Sequence, residues 1–83
     1  MPNYTGVGWR AAVLRQLAGL DQIEASKRSG ITLKTWQNME AGSPCRDATI
    51  FAVAEAFQCG RLWLKYGMDI TDEEFLAHAR GQS

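Results

Sequence analysis

Histidine and cysteine, on which many catalytic and metal sites depend, are scarce in this sequence. It contains one histidine, His78, and two cysteines, Cys45 and Cys59, that have no partner at metal-ligand spacing. It also lacks a nucleophile elbow, a P-loop and a dinucleotide-binding fingerprint. We therefore expect no catalytic residue, no metal site, no cofactor and no enzymatic activity. We interpret the two cysteines as reduced thiols of a cytosolic protein rather than as a disulfide.

Long apolar runs are absent as well. No stretch approaches the roughly 20 apolar residues that a membrane span needs, so we expect no membrane-spanning segment. The first four residues lack the basic and then apolar pattern of a secretory signal, and we expect none. The sequence shows no repeat and no low-complexity segment. Its 83 residues fit a single domain, 1–83, with a small core.

The net charge of the chain is zero, but the two signs are unevenly distributed. Residues 1–65 carry eight lysines and arginines against five acidic residues, a net charge of +3. Residues 66–83 carry one arginine against four acidic residues, a net charge of −3. The body of the chain is therefore modestly basic, and we expect the acidic tail to point away from any bound phosphates.

The stretch 22–39 has the pattern of two short helices joined by a tight turn. Asp21 can cap the first helix, and Glu24 follows three residues later, as in a capping box. Gly30 stands where the first helix must end and the chain takes a positive φ, which a residue without a Cβ adopts at little cost. Thr32 can cap the second helix, which is expected to end at the glycine and proline that follow it.

The second helix of this pair has two different faces at 100° per residue. One face is expected to pack and carries Thr32, Thr35, Trp36 and Met39. The opposite face carries Leu33, Lys34, Gln37 and Asn38. Amides and cations on one helix face are the groups that read base edges in the major groove of DNA. The alternative is an ordinary solvated helix face with the core behind it.

A set of residues at fixed spacing runs through this helix pair and beyond it. The set comprises Gln22, Ala25, Ser26, Gly30, Ile31, Thr32, Trp36, Met39, Glu40 and Gly42, with Leu14, Arg15, Gly19 and Leu20 upstream and 53–57 and 63–67 downstream. In these residues the chain resembles the lambda repressor/Cro-like helix-turn-helix family, also called the XRE type, over roughly 9–67. It departs from that family at Ser26, Ser29 and Trp36. We expect the bulky Trp36 to fill the space that the two serines leave.

The resemblance implies an all-α fold, a lambda-repressor-like bundle of five short helices with a central helix-turn-helix. The helices are expected at about 8–18, two within 22–41, and then 48–57 and 60–66. Asp47 is expected to cap the fourth helix, and residues 1–7 are expected to form a loose arm. Residues 68–83 form a C-terminal extension, in which Thr71 and the acids after it predict a further helix at about 72–80. That helix is a candidate for dimerisation.

The resemblance also implies roles for individual residues. In this family a first-helix arginine at the offset of Arg15 pairs with the glutamate that ends the recognition helix, here Glu40, and a guanidinium can meet a carboxylate bidentately. The residues expected to bind DNA are Gln22, Thr32, Leu33, Lys34, Thr35, Gln37, Asn38 and Arg46. The dimer-interface candidates are Leu62, Trp63, Phe75 and Leu76, unless these side chains only close the core of one chain.

The function implied by the resemblance is sequence-specific binding of double-stranded DNA. We expect a cytoplasmic transcriptional regulator, bacterial or phage-encoded, that acts as a homodimeric repressor on a palindromic operator. An alternative is an antitoxin-like protein-interaction module that uses the helix-turn-helix for autoregulation. Its partner would bind an apolar stripe of the first helix that lies almost opposite the side expected to be buried and is formed by Trp9, Val13 and Leu17. A third option is a helix-turn-helix that serves only as a scaffold.

Overall fold

Five short helices and no strand make up the part of the chain that the structure describes, residues 6–68 of a computed structural model. The helices are α1 (Val7–Leu17), α2 (Gln22–Ser29), α3 (Leu33–Glu40), α4 (Asp47–Ala56) and α5 (Arg61–Tyr66). The predicted all-α class is therefore confirmed for these residues. The further helix predicted at 72–80, with Phe75 and Leu76, lies outside the described residues. None of the five helices combines the length and the apolar character needed to cross a bilayer.

The start of α2 and the turn between α2 and α3 have the predicted local chemistry. Asp21 accepts a hydrogen bond from the backbone N–H of Glu24 at 2.8 Å, and the Glu24 carboxylate accepts one from the N–H of Asp21 at 3.0 Å. Gly30 ends α2 at φ +71°, and Thr32 caps α3. These short-range contacts confirm the predicted start of α2 and the predicted boundary between the two helices, because each satisfies backbone groups that a helix end leaves without a partner.

Several predicted helix boundaries differ by one residue from those observed. The first helix, predicted from about residue 8, begins at Val7 with Gly6 as its N-cap, so the arm predicted over 1–7 is wrong at its last two residues, and its other residues lie outside the described part of the chain. Asp47, predicted to cap α4, is instead its first residue, and Arg46 occupies the N-cap position without a side-chain cap. The Asp47 carboxylate lies 2.7 Å from Nζ of Lys65 on α5. This ion pair gives the carboxylate a tertiary partner in place of the backbone amides that a cap would bind.

The core forms around α3. Trp36, Met39, Leu64 and Val53 are the largest fully buried side chains, and the Trp36 ring lies 5.9 Å from that of Phe57. Small buried residues, Ala11, Ala25 and Ala54, allow the other helices to approach. Trp36 packs into the core, whereas Lys34, Gln37 and Asn38 on the opposite face of α3 are exposed.

The fifth helix buries a residue that the sequence did not single out. Leu64 is fully buried, whereas Tyr66 is 60% exposed. The dimer candidates Leu62 and Trp63 are half-buried, and Trp63 packs against the core. Part of the Trp63 surface therefore packs within the chain. This is the alternative to a dimer interface that the sequence left open.

Two residues of α1 fix its place against the other helices. Gly8 is buried, and a Cβ there would lie 2.2 Å from the backbone oxygen of Met39. Arg10 is only 4% exposed, and its guanidinium donates to the backbone oxygens of Leu64 at 2.9 Å and Lys65 at 3.0 Å. Burial lowers the pKa of Arg10. The close approach at Gly8 and the hydrogen bonds of Arg10 join α1 to α3 and to α5.

Candidate nucleic-acid interface

The outer face of α3 carries the polar side chains predicted from the helical pattern. Lys34, Gln37 and Asn38 are exposed, and Leu33 is half-buried at the edge of the face. Trp36 is completely buried on the opposite side. The face therefore combines one cation with two amides on a helix held from beneath, and nothing among the described residues covers it.

The N-terminus of α3 is fixed by two threonines that were predicted to bind DNA. The hydroxyl of Thr32 accepts a hydrogen bond from the N–H of Thr35 at 3.1 Å and lies 2.8 Å from the hydroxyl of Thr35. Thr32 is exposed and Thr35 is half-buried. Both hydroxyls therefore hold the helix end, which orients the side chains of the following turn.

Arg15 and Glu40 form the ion pair that the resemblance implies. The Arg15 Nε lies 2.6 Å from Oε2 of Glu40, and Nη2 lies 3.1 Å from Oε1, so the contact is bidentate. A third nitrogen, Nη1, donates to the backbone oxygen of Leu20 at 3.2 Å. The two side chains are 17% and 12% exposed. The pair therefore ties the end of α3 to α1 and to the α1–α2 loop at a mostly buried site.

Glu40 also accepts hydrogen bonds from two other side chains. The indole N–H of Trp36 donates to Oε2, and the amide nitrogen of Gln22 lies 3.3 Å from Oε1. Burial acts to raise the pKa of this carboxyl, but the hydrogen bonds from Arg15, Trp36 and Gln22 and the charge of Arg15 outweigh burial and hold the pKa below its usual value. Glu40 is thus ionised in the folded chain near neutral pH.

This lowered pKa predicts an acid-dependent loss of stability. In the unfolded chain Glu40 has its ordinary, higher pKa, so the unfolded state takes up the proton first as pH falls. Stability from this group is fully present above about pH 4.5, the usual value, and is lost as pH falls through the lower folded pKa. Urea unfolding at successive pH values measures this. A Glu40→Gln variant should show a shallower pH dependence than wild type in that window, and an equal slope would contradict the assignment.

Gln22 lies between Glu40 and Gln37. Its amide oxygen is 3.4 Å from Nε2 of Gln37, in addition to the contact of its nitrogen with Glu40. Gln22 was predicted to bind DNA, but both ends of its side-chain amide are engaged with neighbouring side chains. The sequence pattern could not reveal this contact, because it depends on the distance between α2 and α3.

Arg46 belongs to the same surface as α3. The structure places Thr35, Asn38 and Arg46 around one shallow depression of about 350 Å³ between α3 and the start of α4. Arg46 is exposed at the N-cap of α4. Arg46 is thus an exposed cation that borders the same depression as Asn38. Arg28, by contrast, lies with its guanidinium 5.3 Å from the centre of the Phe57 ring, away from this depression.

The apolar stripe of α1 formed by Trp9, Val13 and Leu17 is partly exposed to solvent. Leu17 is 82% exposed and Trp9 is 42% exposed, whereas Val13 is half-buried. Trp9 also borders a wider depression that includes Met39 and Tyr66. This stripe lies on a different helix from the outer face of α3.

Among residues 6–68, no group of three or more histidine, cysteine or acidic side chains is arranged to hold a metal ion. Cys45 and Cys59 are half-buried and form no disulfide. Burial, with the nearby charge of Asp47, raises the pKa of the Cys45 thiol.

The chain matches no protein-family model, and no curated protein matches it.

Proposed function

We propose that this protein is a sequence-specific double-stranded DNA-binding transcriptional regulator of the lambda repressor/Cro-like type, acting as a homodimeric repressor. The observation that carries the proposal is the exposed face of α3, with Lys34, Gln37 and Asn38 pointing outward from a helix anchored by Trp36 and Glu40. An α-helix fits the major groove, where amides and cations distinguish the base pairs.

The arrangement of α2 and α3 supports this proposal. The two helices pack against each other and are joined by a turn with Gly30 in the left-handed conformation. Two packed helices joined by a short turn that contains a glycine are compatible with a helix-turn-helix, in which the second helix enters the groove. The chain supplies both helices, the turn and a clamp at the far end of α3.

Each side chain of the face has a chemical preference. Lys34 is a donor suited to the acceptors O6 and N7 of guanine, and Asn38 can pair bidentately with adenine. Leu33 at the edge of the face can contact a thymine methyl group. Thr32 and Arg46, which flank the face, can contact phosphates, and such contacts position a protein without specifying sequence.

Selection of bound DNA from a random duplex pool tests the function directly. A recovered palindrome supports a two-fold dimer on its operator, because operator symmetry mirrors protein symmetry. Recovery of no preferred sequence contradicts sequence-specific binding. Affinity that does not fall as salt is raised would also count against contacts to phosphates.

Lys34→Ala and Asn38→Ala should each weaken binding to the selected sequence about 5- to 150-fold, because a good base contact is worth about 1–3 kcal/mol. Fluorescence anisotropy with labelled duplex measures the change. Both side chains are exposed, so thermal stability should change little. Lys27→Ala, at an exposed lysine of α2, is the matched control and should bind nearly as wild type does. If both α3 variants bind like wild type, the assignment of this face is wrong.

A second candidate function is an antitoxin-like module that binds another protein and uses the helix-turn-helix for autoregulation. The exposure of Leu17 and Trp9 on α1 favours it, since large apolar side chains in one stripe are common in protein interfaces. Size-exclusion chromatography with light scattering discriminates the two candidates. A dimer alone favours the repressor, whereas a monomer favours a module whose partner is missing.

A further inference from the structure

A polar chain of side chains runs from the buried carboxylate of Glu40 through Gln22 to Gln37 on the outer face of α3. The nitrogen of Gln22 lies 3.3 Å from Glu40 Oε1, and the oxygen of Gln22 lies 3.4 Å from the nitrogen of Gln37. These hydrogen bonds connect the ionised, mostly buried carboxylate of Glu40 to the exposed amide of Gln37. The donor-to-acceptor direction of these hydrogen bonds determines which polar groups of Gln37 remain for a DNA base.

The ionised carboxylate of Glu40 sets the orientation of the neighbouring amide. An ionised carboxylate only accepts hydrogen bonds, and Glu40 already receives them from Arg15 and Trp36. The atom of Gln22 that faces Glu40 must therefore be its nitrogen, because an oxygen there would be repelled. The oxygen of Gln22 is left to face outward, toward Gln37.

The same rule orients Gln37. Because the amide oxygen of Gln22 can only accept, Gln37 must offer its nitrogen to Gln22, which uses one of its two amide hydrogens. Gln37 is exposed, and its oxygen and its second N–H make no other hydrogen bond among the described residues. Such a pair matches the N6–H donor and the N7 acceptor of adenine in the major groove.

We propose that Gln37 is a specificity-determining residue that reads adenine, and that Gln22 is a positioning residue that fixes the orientation of the Gln37 amide. The proposal rests on the proposed DNA-binding function and adds a role to each glutamine. Gln22 then acts at one base pair, whereas a phosphate anchor would act on all sequences alike. Without the hydrogen bond to Gln22, the amide of Gln37 could rotate and offer both of its N–H groups to the DNA. Two donors suit the two acceptors of guanine instead of adenine.

The test replaces Gln22 by methionine, which keeps the length of the side chain but cannot hydrogen-bond in the same way. Affinities for the selected duplex and for duplexes with each base pair substituted in turn are measured for wild type, Gln22→Met, Gln37→Ala and the double variant. Wild type should prefer adenine at one base pair, and Gln37→Ala should remove that preference. Gln22→Met should weaken the preference about 3- to 10-fold at the same base pair alone, as expected for one orienting hydrogen bond. The double variant should show no further loss.

Circular dichroism verifies that each variant is folded, and Gln37→Ala, at an exposed site, provides a test that does not depend on the half-buried Gln22. A loss that is equal for all sequences in Gln22→Met would make Gln22 a phosphate anchor and overturn the positioning role. Unchanged preference at every base pair in Gln37→Ala would overturn the reading role. If wild type itself shows no sequence preference, the proposed function fails as well, so the two failures are distinguishable.

Discussion

Replacing Glu40 by alanine should lower the free energy of unfolding by about 3–5 kcal/mol, as when one partner of a buried ion pair is removed. The variant leaves the guanidinium of Arg15, the indole N–H of Trp36 and the amide of Gln22 without their common acceptor. Arg15 keeps one hydrogen bond, to the backbone oxygen of Leu20. A domain of this size has a total stability of roughly 4–12 kcal/mol, so the loss is a large fraction of the whole.

Urea unfolding followed by circular dichroism measures this loss. Glu55→Ala is the matched control, because Glu55 is an exposed glutamate of α4, and its removal should change stability by less than about 0.5 kcal/mol. DNA affinity should also fall in Glu40→Ala, since the end of α3 is then no longer tied to α1. Equal midpoints for the two alanine variants would show that the ion pair contributes nothing to stability.

Replacing Gly8 by alanine should lower the free energy of unfolding by about 3 kcal/mol or more. The added Cβ would lie 2.2 Å from the backbone oxygen of Met39 and 3.2 Å from that of Glu40. Both atoms belong to the last turn of α3, so α1 and α3 must move apart as whole helices. The better helix propensity of alanine, about 1 kcal/mol at most, does not offset such a shift. The midpoint of thermal unfolding should fall by roughly 12–24 °C.

Gly42→Ala is the control for the general effect of adding a methyl group to a glycine. Gly42 has φ +91° and open space around it, so alanine there meets only backbone strain of about 1–2 kcal/mol. Gly8 carries no such positive φ, and its whole effect comes from the contact with α3. If Gly8→Ala melts at or above the midpoint of Gly42→Ala, the two helices are not as close in solution as described here.

The polar outer face of α3 was predictable because it depends only on helical periodicity. The arrangement of Lys34, Gln37 and Asn38 opposite Trp36 follows from 100° per residue and from the contrast between polar and bulky apolar side chains. The use that the chain makes of Gln22 was not predictable in this way. Residue type alone allowed a phosphate contact, but packing places its amide between Glu40 and Gln37.

Asp47 shows how a local rule fails. An aspartate just before an apolar helical pattern is a good cap, and the sequence offers no reason to reject it. In the folded chain Lys65 of α5 lies 2.7 Å from the carboxylate, and the helix begins at Asp47 itself. Lys65 is 18 positions away from Asp47 in the sequence, so its position beside the carboxylate follows only from the packing of α5 against α4. The Arg15–Glu40 pair, 25 positions apart, was expected only because of the family resemblance.

The sequence by itself determined the helical class, the capping box at Asp21, the turn at Gly30 and the polar face of α3. Each depends on residues within about four positions of one another, where backbone sterics and hydrogen bonding leave few alternatives. Only the tertiary structure decided the approach of α1 to α3 at Gly8 and the 54-residue reach of Arg10 to Leu64. Those contacts depend on how side chains from distant segments fill a common core, and no local pattern specifies that packing.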